Sequence, residues 1–175
     1  MIGHAELLTA LGAGASAALI LKSPRTAKTA IANQSALTDR LLRGTTVDRQ
    51  RVAVIEADSI EQLESALYGT ALPDPKSFDV ALLGGRREVT KQVIAAMTEH
   101  DGETPLRIAL EPGDPYGTIE VDSDKCTLCL ACVSQCPTGA LNDRSDRPEI
   151  NIVENACVQC GLCANTCPET AITLK

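Results

Sequence analysis

The chain has 175 residues, with 16 Lys and Arg against 23 Asp and Glu, a formal net charge of −7 at pH 7. That acidic balance, with no Lys/Arg block and no aromatic ladder, argues against a surface for phosphate backbones, so nucleic acid is not an expected partner. Hydrophobic residues make up 44% of the chain, but with two Tyr, one Phe and no Trp the core must be built from Leu, Ile, Val and Ala. The longest apolar run, Ala10 to Leu21, holds two glycines and a serine and stops at Lys22, short of the roughly 20 residues a membrane span needs. No Lys or Arg precedes it, so it does not read as an export signal either. A cytoplasmic setting is expected, where eight cysteines are metal ligands rather than disulfides.

From residue 1 to about 112, short aliphatic runs alternate with longer helical patterns, which reads as an α/β layer. Ala17–Leu21, Arg51–Ala57, Asp79–Leu83 and Leu106–Leu110 are the expected strands; Pro24–Arg43, Ser59–Tyr68 and Arg87–His100 are the expected helices. A small, mostly parallel, flavodoxin-like sheet follows. Pro24 suits a first helical turn, Ser59 stands ahead of Glu61 and Glu64 as a cap, and Gly44 and Gly69 sit where helices stop.

Residues 111–117 pack two prolines and two glycines into seven positions, which no helix or central strand tolerates. The expected organisation is an α/β domain over 1–112, a linker at 113–116 and a second domain over 117–175. Beyond the linker the chain repeats with a period of 31. Ile119-Glu120-Val121 matches Ile150-Asn151-Ile152, and Cys126, Cys129, Cys132, Cys136, Pro137, Ala140 and Leu141 match Cys157, Cys160, Cys163, Cys167, Pro168, Ala171 and Ile172. The second domain is an internal duplication.

Each half carries C-x2-C-x2-C-x3-C-P, the run of bacterial ferredoxins. Three thiolates at two-residue gaps let one loop wrap three corners of a cubane iron–sulfur core, and the longer gap swings the fourth sulfur away. Small or apolar residues between them (Leu128, Leu130, Ala131, Val158, Gly161, Leu162, Ala164) keep water off the sulfides and leave backbone N–H groups to donate to sulfur.

Over residues 117–175 the sequence resembles the bacterial two-cluster ferredoxins, including the short strand before each motif and the Gly-Ala-Leu or Thr-Ala-Ile after each proline. The resemblance implies an α+β ferredoxin-like domain with two [4Fe–4S] clusters, one on Cys126, Cys129, Cys132 and Cys167, the other on Cys157, Cys160, Cys163 and Cys136. Aromatics beside the clusters are missing, and Leu141 and Ile172 must fill that space. The whole chain also resembles the C-terminal part of a family of large bacterial 4Fe–4S proteins, through Gly117-Thr118-Ile119-Glu120-Val121-Asp122 and the cysteine array after it. Members of that family typically extend further at the N-terminus, and the α/β half matches them only loosely.

Zinc also uses C-x2-C pairs, but as two separated pairs rather than two triplets each ending in Cys-Pro. Gly12-Ala13-Gly14 precedes a strand, so it reads as a turn and not a dinucleotide fingerprint; Gly84-Gly85-Arg86-Arg87 follows an expected strand at a helix start and is a weak candidate for an anion. His4 and His100 lack ligand-spaced neighbours, and no nucleophile–base pair or paired carboxylates stand out. The expected function is low-potential electron transfer, as a ferredoxin or an electron-transfer subunit serving a redox enzyme or donor protein, rather than independent catalysis. The alternative is an oxidoreductase subunit whose α/β domain binds a nucleotide or flavin.

Overall fold

The computed structural model describes residues 2–23, 25–69, 71–98, 107–144 and 146–175. It divides into two compact units, Met1–Ala109 and Leu110–Lys175.

The first unit opens with helix α1 (His4–Gly12), followed by strand β1 (Ala18–Leu21), helix α2 (Lys28–Leu42), strand β2 (Val52–Ile55), helix α3 (Ile60–Tyr68) and helix α4 (Arg86–Met97). α1 lies ahead of the first expected strand, in a stretch to which the sequence reading assigns no element, and only its last three residues belong to the apolar run that starts at Ala10. Its start is set by Glu6, whose carboxylate accepts the Gly3 N–H at 2.9 Å, half of a capping box. Leu8 and Leu11 then fall on one face and are buried beside Val93 and Met97 of α4, all four at 1% exposure or less. A Cβ on Gly12 would stand 2.9 Å from Val93 Cγ1, so the missing side chain lets the two helices approach closely. Thr38 and Thr90 are buried in the same core without cost, because each hydroxyl donates to the carbonyl four residues back, Gln34 O and Arg86 O.

β1 and β2 pair in parallel from Ala18↔Val52 to Leu21↔Ile55, with α2 as the crossover between them. Ser59 caps α3 as expected, accepting the Gln62 N–H, and Gly69 follows its last turn. α2 begins at Lys28, four residues after Pro24, which lies outside the described residues, as do His100 and Leu106.

The described sheet therefore has two strands, smaller than the flavodoxin-like sheet expected. Residues 79–83 form no strand, for a local reason. Leu83 has both backbone groups bound by the Gln92 side-chain amide, its N–H donating to Oε1 and its carbonyl accepting from Nε2 at 2.8 Å, so they are not offered to a ladder. Gly84, with φ of +99°, then turns the chain into α4. Residues 107–110 also join no strand and run into a turn in which Asp114 N–H donates to Glu111 O.

The second unit holds β3 (Ile119–Val121), the short helix α5 (Ala131–Ser134), β4 (Leu141–Arg144), β5 (Arg147–Ile152), the short helix α6 (Leu162–Thr166) and β6 (Ile172–Leu174). β3 pairs antiparallel with β6, and β4 with β5. The 31-residue period carries one ladder onto the other: Ile119↔Leu174 becomes Ile150↔Asp143, Glu120↔Thr173 becomes Asn151↔Asn142, and Val121↔Ile172 becomes Ile152↔Leu141. The duplication is thus one of backbone pairing, with each outer strand of one half closing on a strand that follows a Cys-Pro. Ile119, Leu141 and Ile172 form the core between these ladders together with Cys132. Among the described residues no helix is long and apolar enough to cross a membrane.

Truncating a side chain that α1 presses against α4 leaves a void that neither helix can close. Leu8→Ala should cost the first unit about 2–5 kcal/mol. Denaturant unfolding followed by far-ultraviolet circular dichroism checks this. A loss below about 1 kcal/mol would show that the α1–α4 contact is not the core of that unit.

Candidate iron–sulfur centre

The cysteine loops are held in shape by left-handed backbone. Positive φ occurs at Leu128 (+55°), Leu130 (+59°), Gln159 (+55°), Gly161 (+75°), Gly139 (+65°) and Thr170 (+49°). These six are three pairs at the same 31-residue spacing. Two fall inside each cysteine triplet and one lies two residues after each Cys-Pro proline. A left-handed residue between right-handed ones turns successive N–H groups toward one point, making a concave nest that favours negative charge, as at many iron–sulfur sites. Four of the six are not glycine, and a β-branched residue such as Thr170 is a true outlier there. Strain of that kind persists where the surroundings over-determine it and is a mark of functional sites.

Two hollows result. The first has Cys157, Cys160 and Cys163 in its wall together with Cys136 of the other half. The second has Cys126, Cys129 and Cys132 together with Cys167. All eight cysteines that the sequence singles out stand in the wall of one hollow or the other, and none is paired in a disulfide. Ile119, Leu141, Ile152 and Leu174 line the first hollow and Ile150 and Ile172 the second, so the apolar part of each wall is aliphatic. Soft sulfur ligands in an apolar wall suit an iron–sulfur core. Among the described residues no group of three or more His, Cys, Asp or Glu side chains is gathered tightly enough for a single metal ion.

The thiols differ by position. Burial pushes the Cys132 thiol up, aided by the Cys126 and Cys163 thiolates; burial pushes Cys163 up in the same way, aided by Cys157 and Cys160. Both shifts favour the protonated thiol, so binding iron at these positions would release protons. For Cys136 burial also acts upward, but hydrogen bonds from the Leu141 N–H, the Thr138 hydroxyl and N–H, and the Ala140 N–H outweigh it and lower the thiol. Cys167 Sγ accepts the Ala171 N–H at 3.3 Å.

Residues 125–172 match the family model of the 4Fe-4S dicluster domain. No curated protein matches the chain. The 4Fe-4S segment contains all eight cysteines, and its type points to electron transfer in general. The ferredoxin-type reading of the C-terminal part of the chain thus stands on the motif, the fold and the family match together.

Other candidates take structural places. His4 begins α1, where its N–H and Nδ1 both meet Gln34 Oε1. Gly85 caps α4, but the Glu88 carboxylate lies over Gly84 and Gly85, which puts negative charge where an anion would sit. Gly12 ends α1 and Gly14 turns toward β1 with φ of +101°, as a turn reading of that glycine pair requires. Sequence reasoning missed the left-handed residues, because Leu, Gln and Thr carry no turn signal; only their recurrence at period 31 marks them. It also passed over Thr138 and Glu169, which line the first and second hollows after the two Cys-Pro pairs.

Gly139 has open space where a Cβ would go, while its partner position Thr170 already has one. Gly139→Ala should thus cost only backbone strain, about 1 kcal/mol, and Thr170→Gly should recover up to ~1 kcal/mol of it. The denaturant midpoint for loss of the visible iron–sulfur absorption reads both; shifts of the same sign in the two variants would sink the account.

Proposed function

We propose that residues 117–175 bind two [4Fe–4S] clusters and carry electrons at low potential, as in the bacterial two-cluster ferredoxins. One cluster sits on Cys126, Cys129, Cys132 and Cys167; the other sits on Cys157, Cys160, Cys163 and Cys136. The observation that carries this reading is the lining of the hollows, each by one complete triplet and the fourth cysteine of the opposite half. Pro137 and Pro168 favour the exchange, since each removes a backbone donor and bends the chain away from its own triplet. A segment of this size relies on metal for folding energy, so the crossover staples the halves together.

In this reading the protein is a ferredoxin, or an electron-transfer subunit of a redox complex in the cytoplasm, and corresponds to the C-terminal part of larger 4Fe–4S proteins. Residues 1–112 serve as a scaffold or docking module, joined through 113–116. The surface of 117–175 carries eight Asp or Glu against four Lys or Arg, and the clusters add negative charge, so the redox partner presents a basic surface.

Anaerobically purified protein should be brown and contain about eight iron and eight sulfide per chain. About four iron in a fully reconstituted sample would refute the two-cluster reading. Cys136→Ala should damage the cluster of the Cys157 triplet and spare that of Cys126, Cys129 and Cys132, while Cys167→Ala should do the reverse. Hyperfine-shifted cysteine signals assigned by selective labelling distinguish the two, and a Cys157-triplet cluster with unchanged ligation in Cys136→Ala defeats the crossover.

Reduction of the clusters by a donor protein should slow as salt rises, roughly tenfold between low and physiological ionic strength, because steering between opposite charges is screened. Rates measured by stopped flow that stay flat across that range would contradict a charge-guided partner.

A further inference from the structure

The two hollows are related by the duplication but are not chemically equal. After the first Cys-Pro stands Thr138, whose Oγ1 lies 3.7 Å from Cys136 Sγ in the wall of the first hollow. At the position 31 residues on stands Glu169, in the wall of the second. A thiolate bound to iron has no proton to give, so between Thr138 and Cys136 the hydroxyl is the donor. Glu169 in its ionised form is an acceptor and a negative charge and offers no such bond.

The remaining differences do not cancel this one. Ahead of the first triplet, Asp122 and Asp124 stand against Lys125, which pairs with Asp122 at 2.9 Å; ahead of the second stands Glu154 alone, so each flank carries one net negative charge. Gln159 lines the first hollow, but its amide donates to Thr118 O at 2.7 Å. Thr127, at the rim of the second hollow, is exposed as Thr138 is, but among the described residues it makes no hydrogen bond to a cysteine sulfur, and its counterpart is Val158.

We propose that Thr138 and Glu169 make the two clusters unequal, so that a single electron rests on the cluster of Cys136, Cys157, Cys160 and Cys163. This inference builds on the two-cluster reading above. Adding an electron makes a cluster more negative. A donor at a ligating sulfur stabilises that state, and a carboxylate beside the cluster opposes it. Glu169 is exposed, so water and salt weaken its effect without abolishing it. A one-electron donor protein supplies the electron and is itself oxidised; if the electron arrives first at the cluster of Cys126, Cys129, Cys132 and Cys167, that cluster returns to its starting state as it passes the electron to its neighbour, and no bond or proton changes hands. The two clusters then give the electron a direction through the segment.

The test is a potentiometric titration of the whole chain with sequence-assigned hyperfine-shifted cysteine signals, which report each cluster's reduction separately. At half reduction the cluster holding Cys136 should be favoured roughly tenfold, which for one electron is about 59 mV. Glu169→Gln and Thr138→Val should each narrow that preference about threefold, from opposite sides: the first by raising the cluster that holds Cys167, the second by lowering the one that holds Cys136. Thr138→Ser, which keeps the hydroxyl, and Thr127→Val should leave it unchanged. Equal occupancy in the natural protein, a preference for the cluster holding Cys167, or a preference that neither variant moves would overturn the proposal while eight iron per chain leaves the two-cluster reading standing. Four iron per chain would overturn both.

Discussion

Four cysteines line each hollow, and in neither case do they come from one stretch of chain. Cys136 lies in the wall that holds the Cys157 triplet, and Cys167 in the wall that holds the Cys126 triplet. The ladder β3–β6 brings the first strand to the last, β4–β5 brings the two middle strands together, and α5 and α6 are short turns that deliver the third cysteine of each triplet. Burial of Ile119, Leu141 and Ile172 adds a few kcal/mol of apolar stabilisation, too little for a unit this small to depend on alone. The raised Cys132 and Cys163 thiols are the counterpart of this: the fold buries them where the thiolate is disfavoured.

The first unit follows a different logic. Its core is the pressing of α1 on α4 through Leu8, Leu11, Val93 and Met97, with Leu37, Leu41 and Leu42 of α2 buried in the same unit. Its sheet is small, and α3 buries none of its residues. No polar constellation comparable to the cysteine hollows exists among its described residues; the glycine turn before α4 is occupied by Glu88, and the Arg86 guanidinium is paired with Glu6 at 2.8 Å.

What was readable in the sequence follows from how far each signal reaches. Cysteine spacing is a short-range chemical constraint, and the hollows gather those same eight residues. Ser59 and Gly69 bound α3 because caps act within one turn. Helix α1 escaped notice because its glycine and alanine content hides the Leu7, Leu8 and Leu11 face, which only the contact with α4 defines. Residues 79–83 have strand-like composition, yet a side-chain amide nine residues away takes the backbone of Leu83. Composition could not foresee that. Nor does any propensity place Leu128, Leu130, Gln159 and Thr170 in left-handed backbone; the geometry of the loop around its sulfurs imposes it.

The pairing of β3 with β6 has one further consequence. Thr118 and Lys175 exchange both backbone hydrogen bonds at 2.9 Å, and Gln159 Nε2 donates to both of their carbonyls. A Cβ at Gly117 would strike Lys175 O at 2.4 Å, so only glycine admits the chain beside that point. The backbone at residues 117 and 118 is therefore clasped against that at Lys175, and the Gln159 side chain of the second cysteine loop bolts the two together, so a pull on either strand is felt at the rim of the first hollow.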